Sequence, residues 1–97
     1  MADIADTLQE RGKRYGKFTG HAAVSQGIQE ILVRSLKHNP NVEEYEMLDS
    51  DIKEALFMIA HKLGRIVNGD PGYADSWLDI AGYAKLVADR LENGTEV

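Results

Sequence analysis

Apolar residues recur at helical spacing along nearly the whole chain, and no stretch alternates with period two long enough to make a strand. The first segment, Ile4 to Arg14, sets Ile4 and Leu8 four apart behind Asp3, a suitable N-cap, and closes near Tyr15-Gly16. A second helix is predicted after Thr19, whose hydroxyl can cap it. Its stripe runs Val24, Ile28, Ile31, Leu32, Leu36, and His38-Asn39-Pro40-Asn41 ends it because Pro40 pushes Asn39 out of helical geometry. The third helix, the longest by pattern, starts at Asp49-Ser50-Asp51 and closes at Asn68-Gly69, with Ile52, Leu56, Ile59, Leu63 and Ile66 on its stripe.

After the turn Asp70-Pro71-Gly72, Asp75 or Ser76 caps a fourth helix reaching about Glu92. Trp77, Ile80, Ala81, Ala84, Val87, Ala88 and Leu91 share one face, read as core, and Asn93-Gly94 ends it. Short connections favour antiparallel neighbours. The expected fold is therefore all-α: a compact, four-helix bundle-like single domain over 1–97, its core about 4–92, with a long central third helix. Gly27, Gly64 and Gly82 fall inside helices, each at a cost of roughly 0.5–1 kcal/mol relative to Ala, which points to close helix–helix approach.

Composition narrows the function classes. Ninety-seven residues make one domain, and a 43% apolar share is that of a folded chain despite 28% charged residues. The absence of cysteine removes disulfides, thiolate metal sites and thiol nucleophiles, and fits a reducing compartment. The residues from Met1 to Gln9 do not read as a signal peptide, and the apolar run Ala55 to Ala60 is far short of the roughly 20 residues that span a bilayer. Cytoplasm, the host's if the chain is phage-encoded, is the expected location, with no membrane partner.

A net charge of −5 gives no strong nucleic-acid signal. The charge is uneven. Arg11, Lys13, Arg14 and Lys17 form a basic cluster, while Glu43, Glu44, Glu46, Asp49, Asp51 and Glu54 form an acidic block. Each can be a solvated face, and the basic cluster can instead be an anion site.

The polar residues of the last two helices offer the clearest candidate chemistry. Lys62 and Arg65 share a face of the third helix; Asp75 and Asp79 are one turn apart at the start of the fourth, with Tyr83 another turn on. Antiparallel packing brings them to one end of the bundle, either as an interhelical salt bridge or as a phosphate site. In the second case Lys62 and Arg65 clamp the anion, Asp75 and Asp79 are the candidate metal ligands, and Arg14, Tyr15 and Lys17 complete the site. No catalytic residue is assigned. His21, His38 and His61 are scattered, with no pair at zinc-ligand spacing, no serine sits on a glycine-rich elbow, and the P-loop pattern is absent.

A resemblance rests on four blocks in order: Arg14-Tyr15-Gly16-Lys17-Phe18; Ile59-Ala60-His61-Lys62-Leu63-Gly64-Arg65-Ile66; Asn68-Gly69-Asp70; and Asp75-Ser76-Trp77-Leu78-Asp79-Ile80-Ala81-Gly82-Tyr83-Ala84. Together these resemble a family of small, uncharacterised tailed-phage and prophage proteins. They are also similar to the phage nucleotide-modification-associated helical domains, which carry a lysine–arginine helix followed by an aspartate-and-tyrosine helix. The match runs from about Asp6 to Leu91, apart from Lys37 to Ser50. It implies a phage origin and an accessory role.

A more distant similarity is to the MazG-like nucleotide pyrophosphatases, which hold magnesium with E-x-x-E and E-x-x-D pairs on successive helices. Here Glu43 with Glu46, and Glu46 with Asp49, overlap in one acidic segment. The leading expectation is a phage accessory protein, an oligomeric helical domain binding a nucleotide-like anion or a host protein. The alternatives are a magnesium-dependent MazG-like pyrophosphatase and a purely structural interaction module. Self-association, most simply a dimer, is expected from Phe57 and Met58 on the third helix and from Leu78, Gly82 and Leu86 on the fourth.

Overall fold

Asp3 starts the first helix as the sequence predicts: its carboxylate accepts from the Asp6 amide at 2.8 Å. In the computed structural model, which describes residues 3–94, α1 then spans Ile4–Tyr15. It is followed by α2 (Phe18–Lys37), a single 3-10 turn at Tyr45–Met47, α3 (Ser50–Asn68) and α4 (Ala74–Asn93). No strand occurs among the described residues, so the fold is all-α.

Three helix starts differ from the pattern reading. Thr19 does not cap α2; the helix already begins at Phe18, after Lys17. Asp49 precedes α3, but its carboxylate accepts from Arg90 at 2.9 Å instead of capping. Tyr73, rather than Asp75 or Ser76, is the residue before α4, and Ser76 is buried. At Asp49 a tertiary partner, Arg90, takes the group that local sequence offers as a cap; at Asp75 a local one, the Tyr73 hydroxyl, does so.

Central position belongs to α3, which packs against α2, α4 and α1, while among the described elements α4 packs against α3 alone. At 19 residues α3 is one residue shorter than α2 and α4, so its importance comes from its place and not from its length. The α2–α3 contact is close at Gly64 of α3, which lies against His21 and Ser25 of α2, all three buried. A Cβ on Gly64 would sit 2.8 Å from the His21 ring and 3.0 Å from its carbonyl oxygen. Gly27 and Gly82 have open space around them, so close approach explains only Gly64 of the three.

The buried apolar core is small: Ala55, Ala60 and Ile66, all on α3. Trp77 and Leu91, expected in the core, are 52% and 57% exposed, and Ile31 of the α2 stripe is 58% exposed. The molecule is elongated, 45 × 30 × 23 Å.

Candidate functional site

The corner between α1 and α2 is fixed by the end of α3. Gly16 takes φ 77°, a left-handed conformation suited to glycine, and turns the chain toward Asn68. Asn68 Nδ2 then donates to the carbonyls of Tyr15 and Lys17, at 2.8 and 2.9 Å. The Asp70 amide adds a bond to the Arg14 carbonyl at 2.6 Å.

This anchoring opens a cavity of about 550 Å³ between α1, α2 and α3. Arg11, Lys17 and Arg65 contribute its charge, and no carboxylate lines it. Leu8, Tyr15, Phe18, His21 and His61 give it apolar and aromatic walls. The Arg65 guanidinium stacks 4.1 Å from the Tyr15 ring centre, and its Nε is buried with no hydrogen-bond partner. Such an orphan donor costs roughly 1–3 kcal/mol until an acceptor meets it.

The two imidazoles meet ring to ring, 4.3 Å between centres, although they lie 40 residues apart and share no motif. His21 Nε2 is 3.1 Å from the His61 carbonyl, a bond that it donates in the Nε2–H tautomer. Burial, above all, pushes both pKa values down, and the nearby Arg65 and Lys62 charges add to it; His61 falls to about 4. Both rings are therefore neutral near pH 7, and the cavity's positive charge comes from its arginines and lysine.

The residues expected at one shared site divide into four places. Tyr15, Lys17 and Arg65 line the cavity. Arg14 lies behind it, over the Tyr73 ring at 4.4 Å, bonded to the Tyr73 hydroxyl and to Glu10. Tyr73 stands edge-on to Tyr15, 6.1 Å between centres, so Arg14, Tyr73, Tyr15 and Arg65 form a continuous stack. Asp75 joins its far end by accepting from the Tyr73 hydroxyl at 2.9 Å, the bond chiefly responsible for raising that phenol's pKa.

Lys62 and Asp79 form an interhelical salt bridge at 3.0 Å, with the Lys62 side chain only 11% exposed. That is the simpler of the two arrangements the spacing allowed. Tyr83 lines a different cavity, of about 420 Å³, between α3 and α4 with Ala55, Leu86 and Val87. Its polar end is closed by Arg90, which donates to Asp51 at 2.7 Å and holds that carboxyl below its usual range. Among the described residues no three His, Asp or Glu side chains converge on a metal position. Asp75 and Asp79 each face another partner, and this donor arrangement does not fit magnesium.

A family model described as a domain of unknown function, DUF6378, matches residues 3–91. The chain belongs to this family. Comparison with curated proteins gives no match, and comparison with solved structures gives none. The matched span includes every element that builds the cavity and the stack.

The site-building residues that sequence reasoning passed over are Phe18, His21, His61, Asn68 and Tyr73. Arg11 was visible as part of the basic cluster. His21 and His61 carry one usable signal: His21 lies just after the α1–α2 corner and His61 one turn before Arg65, both beside the glycine or small-residue contact of α2 and α3. Nothing local marks Asn68 as more than a helix end.

Proposed function

We propose that this chain is an accessory domain, phage-derived as its motif order suggests, that binds a small nucleotide-like anion in the α1–α2–α3 cavity. The observation that carries this reading is the buried, unpartnered Nε of Arg65 at a cavity containing Arg11 and Lys17 and no carboxylate. A phosphate oxygen is the acceptor such a donor set suits, since guanidinium and phosphate match in charge and geometry. The Tyr15, Phe18 and His61 rings supply flat walls against which a base can stack. A MazG-like hydrolase is less well supported. Asp49 is held by Arg90, Asp79 by Lys62, and Asp75 by Tyr73.

The test is a thermal-shift series with nucleoside monophosphates and inorganic phosphate, on the unmodified chain and on Arg65→Ala. Saturation at 100 times the dissociation constant is expected to add about 2.7 kcal/mol to the unmodified chain. Arg65→Ala is expected to remain helical and lose the response. No shift with any nucleotide at millimolar concentration, or an equal shift in Arg65→Ala, overturns the reading.

A further inference from the structure

One face of α4 carries an apolar stripe that nothing among the described residues covers. Trp77, Ala81, Ala84, Ala88 and Leu91 follow one another at steps of four, three, four and three, the a/d spacing of a helix that packs along another helix. All five are exposed, while Ser76, Ile80 and Val87 turn toward α3. The stripe is large at both ends and small in the middle. Trp77 has no polar need of its own, because its indole N–H donates to the Pro71 carbonyl at 2.8 Å and leaves the ring's apolar surface outward.

The amount of exposed surface points the same way. The chain presents 7003 Å² to solvent. A folded monomer of its 10.8 kDa mass is expected to present roughly 5,500 Å², by the usual scaling of surface with mass. The surplus, on the order of 1,500 Å², is spread over the elongated chain and is large enough to supply the ~800 Å² per partner of a standard interface. With three buried apolar residues among those described, this protomer has little core with which to stand alone.

We infer that a second copy of the chain covers this stripe, with the two α4 helices antiparallel and the two-fold axis at Ala84. In that register Trp77 of each copy lies against Leu91 of the other, and the three alanines between let the helix backbones approach closely. Every residue of the stripe meets its symmetry counterpart or an apolar neighbour, as an isologous contact requires. This surface is not the expected one, which combined Phe57 and Met58, both half-buried, with Leu78, Gly82 and Leu86, which are exposed on another side of α4. It also stands independently of ligand binding, because α4 contributes nothing to the α1–α2–α3 cavity.

The experiment uses the full chain, whose lack of cysteine makes single-cysteine variants clean probes. Light scattering at micromolar concentration is expected to give twice the 10.8 kDa chain mass. Ala84→Cys is expected to form a disulfide-linked dimer on mild oxidation, because residue 84 faces its own copy across the axis. Leu86→Cys, on the opposite side of α4, is expected to stay uncrosslinked. Ala84→Glu is expected to give a helical monomer. A monomeric unmodified chain overturns the inference, and so does a dimer that crosslinks through Leu86→Cys and not through Ala84→Cys.

Discussion

The side-chain amide of Asn68 lies 2.8 Å from the carbonyl oxygen of Tyr15, a residue 53 positions earlier in the chain. The same nitrogen also donates to the Lys17 carbonyl, so one side chain ties down the carbonyls of the residues on either side of Gly16. The consequence is positional: Tyr15 is held where Arg65 can stack on it, and Lys17 where it faces the cavity.

Asn68→Ala is therefore expected to destabilise the fold by about 1–3 kcal/mol, because the partly buried Tyr15 carbonyl loses its side-chain donor, whereas the Lys17 carbonyl keeps the His21 amide at 3.1 Å. In a domain of this size that lowers Tm by about 4–8 °C per kcal/mol. Asn68→Asp is expected to do no better, since it points an acceptor at two acceptors. Thermal melts of the two variants check this; an unchanged Tm for both would show that the corner holds without Asn68.

The Lys62–Asp79 pair is asymmetric, 11% exposed on the lysine side and 51% on the aspartate side. Asp79→Ala leaves a mostly buried ammonium without its carboxylate and is expected to cost about 1–3 kcal/mol, below the full cost of a wholly buried pair because Asp79 is half in water. Lys62→Met replaces the cation by an apolar chain of similar length and is expected to cost less. Urea denaturation of both variants measures the difference, and equal losses would remove the argument from burial.

Acid sensitivity follows from the paired imidazoles. An unfolded His61 takes up a proton near 6.5, whereas in the folded chain its pKa is down to about 4, so between these values the unfolded state holds more protons. Stability is expected to be level above pH 6.5 and to fall as pH drops toward 4. His61→Phe keeps a ring in the contact with His21 but cannot titrate, and its Tm is expected to vary less between pH 6.5 and 4.5. Parallel profiles for the two proteins would rule out this pair as the source.

Much of the architecture was already determined by the sequence. The spacing of Ile52, Leu56, Ile59, Leu63 and Ile66, the Asp3 cap, the Pro40 stop and the Asn68-Gly69 close are local facts, and each acts through a few neighbouring backbone groups. The charges of Lys62 and Arg65 on one helix face, and Asp79 within reach of one of them, also follow from helical period and antiparallel order. Tertiary structure decided the rest. An apolar stripe says that a helix face will be covered, but not by what: in α4, Ile80 and Val87 turn to α3 while Trp77 and Leu91 are left outside. Likewise Asp49 could cap or pair, and Arg90, 41 positions away, chose pairing. Tyr73, His21 and His61 became neighbours of the predicted cations only through helix crossing, a relation that periodicity along one segment does not contain.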